Sequence, residues 1–279
     1  MKFGAFMFPT DYSIRPVDLG RALEERGFES VFFPEHSHIP TSRESPWPGG
    51  GDLPKEYADV IDPFVALATV AAVTERLRVG TGITLVIQRD PIWLAKEVAS
   101  LDLLSNGRVL FGIGGGWNLE EMRHHGTDPG RRWAMLRERI EAMQAIWTQS
   151  KPEYHGKFVD FSPSYQWPKP VQKPHPPILV GGQGPNTLRR VVRYGDGWMP
   201  NRTSPEQLKE RMEELGRMAA EAGRGPIPVS VFGVRASEEI VEQLVGLGVE
   251  RIIFALPPRG ADEVVPLLDR QAKLIERFG

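Results

Sequence analysis

The sequence predicts an α/β protein, a (β/α)8 TIM barrel spanning residues 1–279 as a single domain, with an insertion at about 150–177 between the fourth helix and the fifth strand. Two observations carry this. Eight short, nearly continuous apolar runs alternate with eight stretches of helical periodicity, and that pattern implies a parallel sheet covered on its outside by helices. An open doubly wound sheet would show fewer strands and a glycine fingerprint after the first one, whereas the first turn here reads FPTDYS.

The elements follow in order. KFGAFMF (2–8) has strand composition and stops at Pro9, and VDLGRALEERG (17–27) carries Leu19, Ala22 and Leu23 at helical spacing before Gly27. SVFFPEH (30–36) is the second strand; after a loop rich in Pro and Gly comes the helix DPFVALATVAAVTE (62–75), with Asp62 as N-cap and Pro63 at the first helical position. VGTGITLV (79–86) precedes DPIWLAKEVASLDLLS (90–105), a second Asp-Pro start, and VLFGIGGG (109–116) precedes RRWAMLRERIEAMQAIW (131–147). The periodicity then breaks. Residues 154–177 read as a short hairpin across His155-Gly156 and an extended, proline-rich connection. Strands at 178–184, 197–201, 229–234 and 251–256, with helices at 186–195, 205–223, 238–248 and 261–278, complete the eight units.

Composition narrows the function. Lys and Arg total 34 against 36 for Asp and Glu, a formal charge of -2, which gives no electrostatic reason to expect nucleic acid or an anionic membrane as partner. The expected partner is a small-molecule substrate. Without cysteine, thiolate metal sites, disulfides and Cys nucleophiles are excluded. The start MKFGAFMFP is too brief an apolar run for a signal peptide core, so a soluble cytoplasmic protein is expected.

In a barrel of this kind the chemistry gathers in the loops after the strand C-termini. Glu35, His36 and His38 follow the second strand. Two imidazoles at this spacing could converge on a cation, but no histidine follows His175 to complete a set from later strands, and no metal is expected. His36, nearest the strand end, is placed to carry a proton at neutral pH or to serve a structural role; His38 reads as a loop residue. Thr81-Gly82-Ile83 lies at the end of the third strand, where a glycine signals either tight packing or close backbone approach to another body. GIGGGWNLEE (112–121) fails the dinucleotide fingerprint because Trp117 stands where the last glycine is required. What remains is a tight turn, or a surface without side chains against which a planar ligand could lie. LVGGQGPNTLRR (179–190) places glycines before a helix start near Asn186-Thr187, where backbone N–H groups can bind phosphate.

Taken together, GAFMFP in the first strand, Glu35-His36 after the second, GTG in the third, GIGGGW with Trp117 and Glu121, a following G-x-D and Arg132, then PPILVGG and YGDGWMP, resemble the luciferase-like flavin and deazaflavin oxidoreductase superfamily over essentially the whole length. EHSHIP most resembles the branch that uses the deazaflavin coenzyme F420. The resemblance implies that His36 stands beside the reactive ring as proton donor or acceptor, with Glu35 nearby. It implies a non-prolyl cis peptide at Gly82-Ile83, behind Thr81, forming a bulge under the ring. Gly115, Gly116, Trp117 and Glu121 would line the ring and its tail, and Gly181, Gly182 and Gln183 would contact the phosphate end. Flavin mononucleotide (FMN) enzymes of the superfamily often carry an arginine in the strand-four glycine loop; Gly115 and Gly116 there favour F420. The expected activity is F420-dependent hydride transfer to or from an organic substrate. The alternatives are an FMN-dependent two-component monooxygenase and a barrel that binds a coenzyme without turning anything over. Homodimers are common among such proteins.

Overall fold

The computed structural model describes residues 1–201 and 203–279. Eight parallel strands form one sheet: β1 (Lys2–Phe6), β2 (Ser30–Phe33), β3 (Arg78–Thr81), β4 (Val109–Ile113), β5 (Ile178–Gly181), β6 (Gly197–Met199), β7 (Ser230–Val234) and β8 (Arg251–Ala255). Their order is β6-β5-β4-β3-β2-β1-β8-β7. Isolated bridges Trp198↔Val229 and Asn201↔Phe232 join its two edges. The sheet therefore closes into the expected barrel, which leaves no edge for another chain to pair with.

Each strand is followed by an outer helix: α1 (Pro16–Glu25), α2 (Pro63–Ala71), α3 (Pro91–Leu104), α4 (Arg132–Thr148), α5 (Thr187–Tyr194), α6 (Pro205–Glu221), α7 (Glu238–Gly246) and α8 (Ala261–Phe278). The Asp-Pro starts behave as the sequence predicts. Asp62 accepts from the N–H groups of Phe64 and Val65, and Asp90 from those of Ile92 and Trp93, which satisfies donors that a helix start leaves open. The insertion holds a two-strand hairpin, Tyr154–His155 against Asp160–Phe161, and then a connection with cis prolines at Pro168 and Pro174.

Two cores result. A large one lies between sheet and helices; a small one fills the barrel with Phe32, Leu110, Leu179, Met199 and Ile253, against which the half-buried Phe6, Ile83 and Phe232 pack. Phe6 ends β1, Ile83 follows β3, and Phe232 is paired to Asn201 beyond β6. These three side chains cap the barrel interior at its C-terminal rim and become the floor of whatever sits there.

The strands end sooner than the sequence predicts. β2 stops at Phe33, β3 at Thr81 and β4 at Ile113, so Glu35-His36, Gly82-Ile83 and Gly114–Trp117 all belong to loops. Their apolar or glycine character reflects burial at the rim, which strand composition alone does not distinguish from ladder pairing. Two short helices, Glu56–Asp59 and Leu119–His124, also lie in these loops.

Candidate active site

The loops after β2, β3, β4 and β5 meet over the small core. Gly82-Ile83 is a cis peptide, as expected. Thr81 is buried and donates its hydroxyl to the Gly112 carbonyl at 2.7 Å, so it joins β3 to β4 and does not reach the cavities. Gly82, Ile83, Gly115, Gly116, Gly181 and Gly182 border one cavity of about 290 Å³ that Trp117 also lines. At Gly115 the missing side chain is required by packing: a Cβ there would stand 2.6 Å from the Trp133 ring. At Gly182 the reason is the backbone, whose φ of +104° disfavours an L side chain. Gln183 borders an adjoining cavity with Trp47, Pro48, Tyr57 and Trp117.

A second cavity, about 340 Å³, shares Gly82, Ile83, Gly116 and Trp117 with the first and reaches His36. The two form one continuous slot with a glycine-lined half and an aromatic half. Size and lining suit a ligand site of ordinary dimensions.

His36 is fixed at one edge. Its Nδ1 lies 2.8 Å from Glu121 Oε2, and both side chains are nearly inaccessible, 7% and 1% exposed. Trp117 Nε1 donates to His36 Nε2 across a long 3.3 Å. Glu121 Oε1 accepts from the Ser37 N–H at 3.0 Å. Burial would raise the Glu121 carboxyl, but the hydrogen bond and charge of His36 and the Ser37 N–H outweigh it, and the net direction is down. An ionised Glu121 accepts from His36 Nδ1–H, which leaves Nε2 as the acceptor that meets Trp117 Nε1–H at the edge of the cavity.

Local structure explains why Glu121 can do this. Asn118 caps the helix Leu119–His124 by accepting from the Glu121 N–H at 3.0 Å, which places Glu121 in the first turn, a favourable position for a carboxylate. Its neighbour Glu120 binds Ser45, accepting from the Ser45 N–H at 2.9 Å and from its hydroxyl. One carboxylate of the pair orients His36; the other ties down the long loop over the site.

Glu35 corrects the sequence reading. It borders the cavity, but its carboxylate accepts from Leu85 N–H at 2.6 Å and from Arg89 Nε, not from His36. Burial would lower Arg89, but the carboxylates of Glu35 and Asp62 beside it outweigh that and raise its pKa. Glu35 is thus held in an ion-pair network beneath the loop, and the carboxylate on His36 is Glu121, a residue the sequence assigned to the coenzyme.

Two features escaped the sequence. His38 stacks on His124 at 5.1 Å with Nε2 and Nδ1 2.8 Å apart, and Ser37 Oγ bonds both His38 and His125. These imidazoles bond to one another and to Ser37; among the described residues no group of three or more such side chains is arranged to hold a metal ion. The second feature is Trp133, at the glycine end of the slot, with the Arg190 guanidinium 3.6 Å from its ring centroid and Arg132 at 5.1 Å. Burial lowers Arg190, whose electrostatic neighbours are Tyr194 and Arg132, and Arg132 Nε has no hydrogen-bond partner. A half-buried pair of guanidinium groups fits the acidic end of a ligand whose ring lies on the glycines.

Comparison with known proteins agrees with the barrel fold. The family described as luciferase-like monooxygenase matches residues 5–245. An uncharacterized protein of Mycobacterium tuberculosis is 41% identical over 279 residues, 98% of both chains. Among solved structures, monooxygenase RslO1 from Streptomyces bottropensis superposes with a TM-score of 0.80 at 22% identity, covering 100% of this chain and 98% of that one. An F420-dependent secondary alcohol dehydrogenase, solved with an F420-acetone adduct, superposes at 0.77 with 18% identity and the same coverage. These structures share the barrel fold with this chain.

Proposed function

The chain belongs to the luciferase-like monooxygenase family of oxidoreductases, and we propose that within it this protein is an F420-dependent oxidoreductase that moves a hydride between the deazaflavin and a small organic substrate. The observation that carries the reading is the pairing of His36 with Glu121 at the edge of a slot whose other half is lined by glycine.

When bound, the deazaflavin supplies a two-electron hydride carrier that a flat, sidechain-poor surface can hold. The chain's own groups do the rest. Gly82-Ile83, Gly115 and Gly116 offer backbone to a planar ring, while Gly181, Gly182 and Gln183, with Arg132 and Arg190, hold the phosphate and acidic tail. His36 Nε2 takes a proton from a substrate hydroxyl or returns one to it, and Glu121 stabilises the imidazolium in between. Glu35 acts at one remove, by fixing the loop that carries His36 through Arg89 and Leu85.

FMN is the alternative coenzyme. Its single phosphate also suits the Arg132–Arg190 end, and with it the protein would be the oxygenase of a two-component monooxygenase. The test is a titration of purified protein with F420 and with FMN, read from each coenzyme's own spectrum. F420 is expected to shift; a shift with FMN alone, with oxygen consumption once a reductase is supplied, selects the alternative, and no shift with either removes both. His36→Ala is expected to keep coenzyme affinity and lose turnover. A non-catalytic binding barrel has no turnover to lose.

A further inference from the structure

We infer that the substrate half of the slot selects an uncharged molecule with an apolar body and a single hydroxyl or carbonyl at the His36 end. The inference rests on the coenzyme reading for where the ring lies, and on the walls of the 340 Å³ cavity for everything else.

Those walls are a continuous run of aromatic rings. Phe232 and Phe6 lie 4.4 Å apart between centroids, Phe6 and Phe8 5.4 Å, and Phe8 and Tyr57 4.6 Å. Tyr57 then meets His36 at 5.4 Å and Trp117 at 6.3 Å. Every ring from the barrel mouth to the imidazole touches the next, so a ligand body between them is enclosed by apolar surface. Aromatic walls of this kind favour apolar ligands and provide no partners for scattered hydroxyls, which would be desolvated without compensation.

Charge points the same way. Among the described residues the lining includes no lysine or arginine; its ionisable members are Glu35, His36 and Tyr57. Behind His36 stands Glu121, whose carboxyl is held down. Arg89 and His36, the cationic partners beside the cavity, are already taken up by Glu35 and Glu121, so a phosphate or carboxylate brought here meets no lysine or arginine among the described residues of the lining to pair with. The guanidinium groups near the slot lie elsewhere: Arg190 and Arg132 at Trp133, and exposed Arg43 at 6.0 Å over the Trp117 ring. The polar side chains of the lining are few: Glu35 is taken up by Leu85 and Arg89, which leaves Asn201 and the group of His36, Tyr57 and Trp117, whose rings are mutual neighbours at one end. A cavity of about 340 Å³ suits a small molecule.

Three ring-shaped probes separate the possibilities: cyclohexanol, inositol with the same ring fully hydroxylated, and phenyl phosphate with a flat ring and a dianion. Binding to the purified protein, read by saturation-transfer NMR and tryptophan fluorescence with and without coenzyme, is expected to be at least about tenfold tighter for cyclohexanol than for either of the others. Phe232→Leu and Tyr57→Arg, checked for unchanged melting temperature, are each expected to weaken cyclohexanol about tenfold, and Tyr57→Arg to improve phenyl phosphate. Because one variant is conservative and the other lies half-buried in the short helix Glu56–Asp59, loss of fold in one leaves the other decisive. Equal or tighter binding of inositol or phenyl phosphate overturns the inference, as does the absence of saturable cyclohexanol binding or its indifference to both variants. Binding of cyclohexanol to a protein that takes neither F420 nor FMN would sink the coenzyme reading and leave this one standing.

Discussion

At the scale of single residues, the site depends on one hydrogen bond, between His36 Nδ1 and Glu121 Oε2. Glutamine at 121 can still accept from Nδ1–H but carries no charge to stabilise an imidazolium, so Glu121→Gln is expected to lower turnover by about 10²–10⁴-fold and change coenzyme affinity little, as a titration beside a rate measurement would show. The same carboxylate sets an acid limit: its pKa is lowered from the ordinary glutamate value by His36 and the Ser37 N–H, so its contribution disappears only as pH falls through the lowered value. At the other end of the slot, Arg190→Gln is expected to weaken the phosphate-bearing coenzyme about ten- to a hundredfold and to flatten the salt dependence of binding, both measured in one titration series. His36 and the glycines could be read from their places after strand ends. Glu35 could not be placed from sequence: it lies in the loop after β2, and its carboxylate is fixed by partners 50 and 54 positions on, the Leu85 N–H and Arg89. The true partner, Glu121, lies 85 positions on, and the contact of Trp133 with Arg190 joins two helices with no pattern to announce it.

At the scale of elements, the helix starts were the most legible feature, because a cap is a local interaction written in three or four residues. Asp90 tests this cleanly, since Asp62 also pairs with Arg89. Asp90→Ala removes two accepted N–H bonds and is expected to cost about 1 kcal/mol, a fall of roughly 2–4 °C in melting temperature by calorimetry, with coenzyme binding unchanged. The short helix Leu119–His124 was written in the same code, Asn118 with Glu121 three residues later. That is the spacing of a capping box, yet here the glutamate side chain reaches His36 in place of its own cap. Strand ends were less legible, because rim loops buried over the barrel core share the composition of the strands that feed them.

At the scale of the whole molecule, barrel stability and chemistry belong to opposite rims, and the N-terminal rim has its own ion pair, a buried arginine with a half-buried carboxylate. Arg251 at the start of β8 is 1% exposed and donates through Nε and Nη2 to the two oxygens of Glu29, each at 2.8 Å, and through Nη1 to Ser230 at the start of β7. Glu29 immediately precedes β2, so these bonds link the starts of β7, β8 and β2 around β1. Removing one partner of such a pair strands the other charge, so Arg251→Met is expected to destabilise the fold by about 3–5 kcal/mol in urea unfolding. Replacing both partners, Arg251→Met with Glu29→Leu, should recover most of that loss. The pair also predicts acid sensitivity. Burial would raise Glu29, but Arg251 brings its pKa below the ordinary value, so its stabilisation is fully present above the unfolded-state pKa and is lost as pH falls through the folded one. A melting series through the acid range should therefore fall more steeply for the wild type than for the double variant. Because the pair lies at the rim opposite His36, the folded fraction of each variant should bind coenzyme as the wild type does; a parallel loss of affinity would show that the two rims are mechanically coupled.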